Sequence, residues 1–116
     1  MTYVHNQISI ITKTYDLYKI QYQYSKVFPK SDKYSLGEKI KNIILEILEL
    51  LMEAETAKRD WKKSFLEKAS IKLGLLKILT RLSNDIKILE DKKYLELEEK
   101  IMEIGKMIGG WIKAVP

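Results

Sequence analysis

Cysteine is missing altogether, histidine occurs once, as His5, and proline only twice in 116 residues. Each shortage removes a class of chemistry. Without cysteine there are neither disulfides nor thiolate metal sites. With a single histidine, placed ahead of the first helical pattern, the paired Glu-x-x-His ligands of a di-iron bundle cannot be assembled, and no serine or threonine has a base to activate it. The expectation is a chain with no catalytic residue, metal, cofactor or small-molecule substrate, in which His5 is an ordinary exposed side chain. No apolar run exceeds three residues, as in Ile43-Ile44-Leu45, which is too short for a membrane-spanning helix. The opening Met1-Thr2-Tyr3-Val4-His5 lacks the charged-then-apolar order of a secretory leader, so the default expectation is cytoplasmic. Asn-Gly and Asp-Gly hairpin turns are absent too, while Leu, Ile, Lys and Glu abound, and this predicts an all-α fold. The length suits one domain, residues 1–116.

Four helical patterns follow one another. The first, over residues 8–27, places Ile8, Ile11, Tyr15, Tyr18 and Tyr22 at spacings of three and four, widened by Leu17, Tyr24 and Val27. Pro29 forbids an α conformation at Phe28 and ends it. After a polar connection over residues 30–34, Ser35 and Glu38 stand in capping-box relation and start a second helix at Leu36. That helix is apolar around most of its circumference, with only Lys39, Asn42, Glu46, Glu49 and Glu53 as a thin polar stripe; these glutamates read as solvated, not as ligands. Either it is the central helix of the core or part of its surface meets a neighbouring subunit. The third helix is expected over residues 62–88, with Leu66, Ala69, Leu73, Leu76, Leu79, Leu82, Ile86 and Leu89 inward and a polar line through Lys63, Glu67, Ser70, Gly74, Lys77, Arg81 and Asn84 opposite. Asp91 is a reasonable cap for the fourth, over residues 92–112, whose stripe Tyr94, Leu97, Ile101, Ile104, Ile108 and Trp111 is the cleanest in the chain.

The net charge of +5 is unevenly spread: residues 58–89 hold nine Lys or Arg against three acids. Such segregation favours a polyanionic partner, although a solvated basic face gives the same pattern. Lys77 and Arg81, one turn apart, can follow successive phosphates. The four tyrosines of the first helix either pack at the boundary of core and solvent or form a stacking platform for unpaired bases. All five glycines, Gly37, Gly74, Gly105, Gly109 and Gly110, fall inside or at the ends of predicted helices. Each interior glycine costs a helix about 1 kcal/mol, so close approach of another helix or a subunit should compensate, with Trp111 beside the last pair; Gly109-Gly110 could also end the last helix.

Tyr15-Asp16-Leu17, Phe28-Pro29-Lys30-Ser31, Tyr34-Ser35-Leu36-Gly37-Glu38-Lys39-Ile40, Leu79-Thr80-Arg81-Leu82 and the ending Glu103-Ile104-Gly105-Lys106-Met107-Ile108-Gly109-Gly110-Trp111-Ile112-Lys113 carry a resemblance over nearly the whole chain. The sequence resembles the four-helix-bundle family that includes the accessory variability determinant (Avd) proteins of diversity-generating retroelements and the 23S rRNA intervening sequence proteins. The resemblance implies an antiparallel up-down-up-down bundle assembled as a homopentameric barrel. It also implies association with a reverse transcriptase and template RNA, as a non-catalytic partner. Two readings remain. In one, a nucleic-acid-binding oligomer (RNA or DNA) uses Lys63, Lys77, Arg81 and Lys87 as phosphate contacts, with Arg59 and Lys62 near the turn. In the other, of intervening-sequence type, the chain is a structural or protein-interaction module without nucleic-acid binding.

Overall fold

The computed structural model describes the backbone of residues 2–116 and the side chains of residues 9–116; His5 and Ile8 lie outside the described side chains. Among the described residues there are five helices and no strand. They are α1 (Thr2–Ser25), α2 (Lys30–Lys33), α3 (Leu36–Thr56), α4 (Arg59–Asp85) and α5 (Asp91–Ala114). Four are long and correspond to the four sequence patterns. The extra one, α2, is a single turn folded into the polar connection after Pro29, whose fixed φ of −52° suits the residue ahead of a first turn. Each long helix runs antiparallel to its neighbours: Lys13 of α1 meets Glu103 and Tyr24 meets Glu96 on α5, while Lys72 of α4 meets Glu46 and Lys62 meets the end of α3. The result is an up-down-up-down four-helix bundle, 45 × 22 × 19 Å, with ring order α1, α3, α4, α5.

The core is built where the sequence pattern is strongest. Ile40, Ile43, Ile44, Ile47, Leu51 and Ala54 of α3 and Leu97, Ile101, Ile104, Ile108 and Trp111 of α5 are buried. Two helices turn differently from their apolar pattern. On α1 the inward line is Ile10, Thr14, Leu17, Gln21 and Ser25, so Tyr15, Tyr18 and Tyr22 lie about a quarter turn away on the flank. The buried polar groups are satisfied locally: the Thr14 hydroxyl donates to the Ile10 carbonyl and the Gln21 amide to Ser25 Oγ, both at 2.9 Å. On α4 the inward line starts as expected at Leu66, Ala69, Leu73 and Leu76 but continues through Thr80 and Ser83. Leu82 and Ile86, expected inside, are exposed, and Ile71 (74% exposed) and Ile78 (65%) stand with them on the outside of the helix.

The helix ends also depart from simple capping. Ser35 is the N-cap residue of α3, yet its hydroxyl donates backwards to the Ser31 carbonyl at 2.7 Å, so the capping box with Glu38 is not formed. Asp91 is the first residue of α5 and not its cap; its carboxylate instead accepts from Asn84 Nδ2 at 2.8 Å, tying the α4–α5 turn. Gly109 and Gly110 do not end α5, which continues to Ala114. At the end of α4, Lys87 takes φ 65°, and the Lys87 and Ile88 amides donate to the Asn84 and Ser83 carbonyls at 3.0 Å each. That is a Schellman closure with lysine where glycine is usual.

Candidate nucleic-acid interface

The polar line of α4 faces the seam with α5. There Ser70, Leu73, Gly74 and Lys77 meet Ile101, Met102, Gly105 and Lys106 around a shallow groove of about 360 Å³. Its floor is low because two of its lining positions are glycine. A methyl on Gly105 would stand 3.2 Å from Leu73 Cδ2, so the two helices approach closely here and the end of Leu73 would have to give way to admit one. Gly74 and Gly109, in contrast, have nothing within 4 Å of where a methyl would be, and neither has Gly110. Gly37 is tight for another reason: the Asp32 carbonyl lies 3.3 Å and Phe28 Cδ2 3.5 Å away, where α2 folds onto α3. Within one chain, therefore, close packing accounts for Gly37 and Gly105, and Trp111 is buried in the core.

The cations predicted from sequence differ in what they do. Lys63 and Lys77 are exposed on the line that borders the groove, Lys106 stands across from Lys77, and no ion pair holds these three among the described residues. Arg81, one turn beyond Lys77, has Nε 3.9 Å from Asp85 Oδ2, a pair so exposed on both sides that it leaves the guanidinium available. Arg81 also lies near Tyr94, whose phenol burial pushes up, with Glu98 adding to the shift and Arg81 opposing it. Carboxylates thus crowd this end of the line more than the Lys77 end. Lys62 is committed elsewhere: its ammonium donates to the Ala54 and Glu55 carbonyls, each at 2.8 Å, and so closes the C-terminus of α3. Arg59 lies with Lys62, Val115 and Pro116 at the same end of the bundle. Lys87 is at the opposite end, beside Tyr24, Glu90 and Lys93.

Sequence reasoning passed over Lys106, because α5 carries no net positive charge and only the pairing of helices places this lysine beside Lys77. It also passed over Ile71, Leu75 and Ile78, which form an outer apolar row with Leu82 and Ile86, the two residues it had placed inside. The repeat of four, three, four and four residues was visible, but it competed with a second apolar face on the same helix. Among the described residues no histidine or carboxylate cluster of metal-holding form is present, and no helix is long and apolar enough to cross a membrane.

A four-helix bundle hosts many unrelated functions, so the fold alone does not assign the chain to a family. The profile of the bAvd-like family matches residues 8–115. The chain belongs to the bAvd-like family. A comparison with curated proteins gave no match. The bAvd-like match takes in α1 from residue 8 and the whole of α3, α4 and α5, so the residues of the α4–α5 groove lie inside the matched region.

Proposed function

We propose that this chain is a non-catalytic, oligomeric, nucleic-acid-binding accessory protein of a diversity-generating retroelement, working in the cytoplasm as one domain alongside a reverse transcriptase and its template RNA. The observation that carries the reading is the line Lys63, Lys77 and Arg81 on α4, in which Lys77 faces Lys106 across a groove whose floor is kept low by Gly74 and Gly105. A line of ammonium and guanidinium groups beside a shallow groove suits a phosphate backbone, which is bound through charge and without base identity. Lys87 and Arg59 extend the positive field toward the two ends. Family membership supports the accessory role, and the polymerase chemistry belongs to another chain.

Oligomerisation, as a homopentamer, is part of the same proposal. The outer row of α4, from Ile71 to Ile86, is a contiguous apolar strip on a small chain, the kind of surface that marks a protein contact. That strip also favours the second reading, a self-assembling structural module without nucleic-acid binding. Gel-shift titration of RNA and DNA over a range of salt separates them. The first reading expects binding that falls steeply with salt and weakens in Lys77→Ala plus Arg81→Ala with helicity intact. Oligomers by light scattering with no retention of nucleic acid at low salt would leave the second.

A further inference from the structure

The tyrosine row of α1 is not used by the groove on the other side of the bundle. Tyr15 is 55% exposed and Tyr22 42%, a high fraction for rings that a core could have taken. Each ring carries lysine: Lys19 Nζ is 5.4 Å from the Tyr15 centroid, and Lys26 and Lys41 Nζ are 4.8 and 5.4 Å from that of Tyr22. Tyr18 stacks against Tyr22 with centroids 6.5 Å apart and ring planes 26° from parallel. We propose that this row is a docking strip for single-stranded nucleic acid, with Tyr15 and Tyr22 as stacking platforms for unpaired bases and Lys19, Lys26 and Lys41 as contacts to the intervening phosphates.

The proposal rests on the nucleic-acid reading above and narrows it to unpaired strands. Three features select this occupant over a protein. Lysine is depleted at the centre of protein interfaces, yet three lysines are interleaved with the two rings here. Residues 13–41 carry seven lysines against three acids; Lys13 is held by Glu103, Lys41 is shared with Glu38 at 3.4 Å, and Lys19 and Lys26 enter no ion pair among the described residues. Every base offers a π-face that an aromatic ring can cover, and every nucleotide adds the phosphate that an ammonium displaced from that ring would meet. In a duplex those faces are already covered by neighbouring base pairs, so the strip discriminates in favour of single strands. Phosphate rows such as the one on α4 have no means to do so.

The test uses the full chain with a fluorescent oligothymidylate and with a duplex of equal length, at one fixed salt concentration. Tyr15→Ala plus Tyr22→Ala is expected to lower single-strand affinity by at least about tenfold and to leave duplex affinity unchanged, whereas Tyr15→Phe plus Tyr22→Phe retains both. Lys77→Ala plus Arg81→Ala should weaken both ligands together. If the unaltered protein binds neither ligand, the nucleic-acid reading itself fails. If it binds but the alanine pair changes both affinities alike, or neither, the strip is not a stacking site although the wider reading stands. Intact single-strand binding with lost self-association in the alanine pair would assign the strip to a protein contact and overturn the proposal. Should the alanine pair not fold, Lys19→Glu plus Lys26→Glu, on exposed positions, must selectively weaken the single strand.

Discussion

Tyr24 and Glu96 stand 72 residues apart in the chain and 2.7 Å apart in the bundle, where the phenol of α1 donates to the carboxylate of α5. Lys93 lies over the same ring, 5.1 Å from its centroid, and farther along the same two helices Lys13 and Glu103 repeat the link at 2.7 Å. Lys13 holds the Glu103 carboxyl below its usual range, through a hydrogen bond first and charge second. The first and last helices of the chain are thus joined by polar contacts along a seam that closes the ring.

The Tyr24 bond gives the stability a specific pH signature. The Glu96 hydrogen bond, then burial, then the charges of Glu96 and Glu90 push the phenol up from 10.0 to about 12. The folded pKa lies above the unfolded one, so the contribution is complete below pH 10 and disappears as pH rises toward 12. Tyr24→Phe should cost about 1 kcal/mol at neutral pH. Its urea midpoint should then converge on that of the unaltered protein as the phenol ionises. An offset that stays constant across that alkaline range would show that the hydroxyl is not what Glu96 holds.

Lys87→Gly is expected to stabilise the fold by about 1 kcal/mol, because the left-handed conformation at this position burdens any residue with a side chain. In a domain of this size that is a rise in melting temperature of several degrees, measurable by circular dichroism. If Lys87 also touches a phosphate, the same variant lowers the salt slope of nucleic-acid binding by about 1. A stabilised variant with an unaltered slope would leave Lys87 as a turn residue alone.

The four long helices were legible because apolar spacing over more than twenty residues outweighs local detail, and α5 carried its stripe into the core unchanged. Facing was harder. On α1 the apolar line through Ile11, Tyr15 and Tyr18 looked like the core side, but amphipathic tyrosines tolerate a flank, and Thr14, Gln21 and Ser25 tolerate burial once they bond to their own helix. On α4 two apolar rows were present, and only packing showed that the inward line leaves Leu82 outside and continues through Thr80 and Ser83. The site was legible as far as charge on one helix reaches. Lys77 and Arg81 could be named, whereas Lys106 needed the pairing of α4 with α5, and the role of Lys62 needed the end of α3 in place.

Lys62→Met should therefore behave as a stability variant. Its ammonium is the donor to two terminal carbonyls of α3, and hydrogen bonds to a charged group of this kind contribute about 1.5–3 kcal/mol. The expected result is a lowered denaturant midpoint with the salt dependence of nucleic-acid binding unchanged. A reduced salt slope without loss of stability would return Lys62 to the phosphate-contacting set.

The glycines separate packing within the chain from contacts beyond it. Gly74→Ala adds a methyl into open space in the middle of an exposed helix, so the isolated bundle should gain about 1 kcal/mol from helix propensity alone. Gly105→Ala must push back the flexible end of Leu73 and should gain less. Gly37→Ala meets the Asp32 backbone carbonyl, which cannot rotate away, and is expected to destabilise. Measured by thermal melts, the order is Gly74, then Gly105, then Gly37. The same Gly74 methyl raises the floor of the α4–α5 groove beside Lys77. A phosphate backbone or a second subunit seated there should bind more weakly to a variant that is itself more stable, and that opposition cannot arise from misfolding. Unchanged affinity and unchanged assembly in a stabilised Gly74→Ala would mean that nothing closer than solvent occupies the groove.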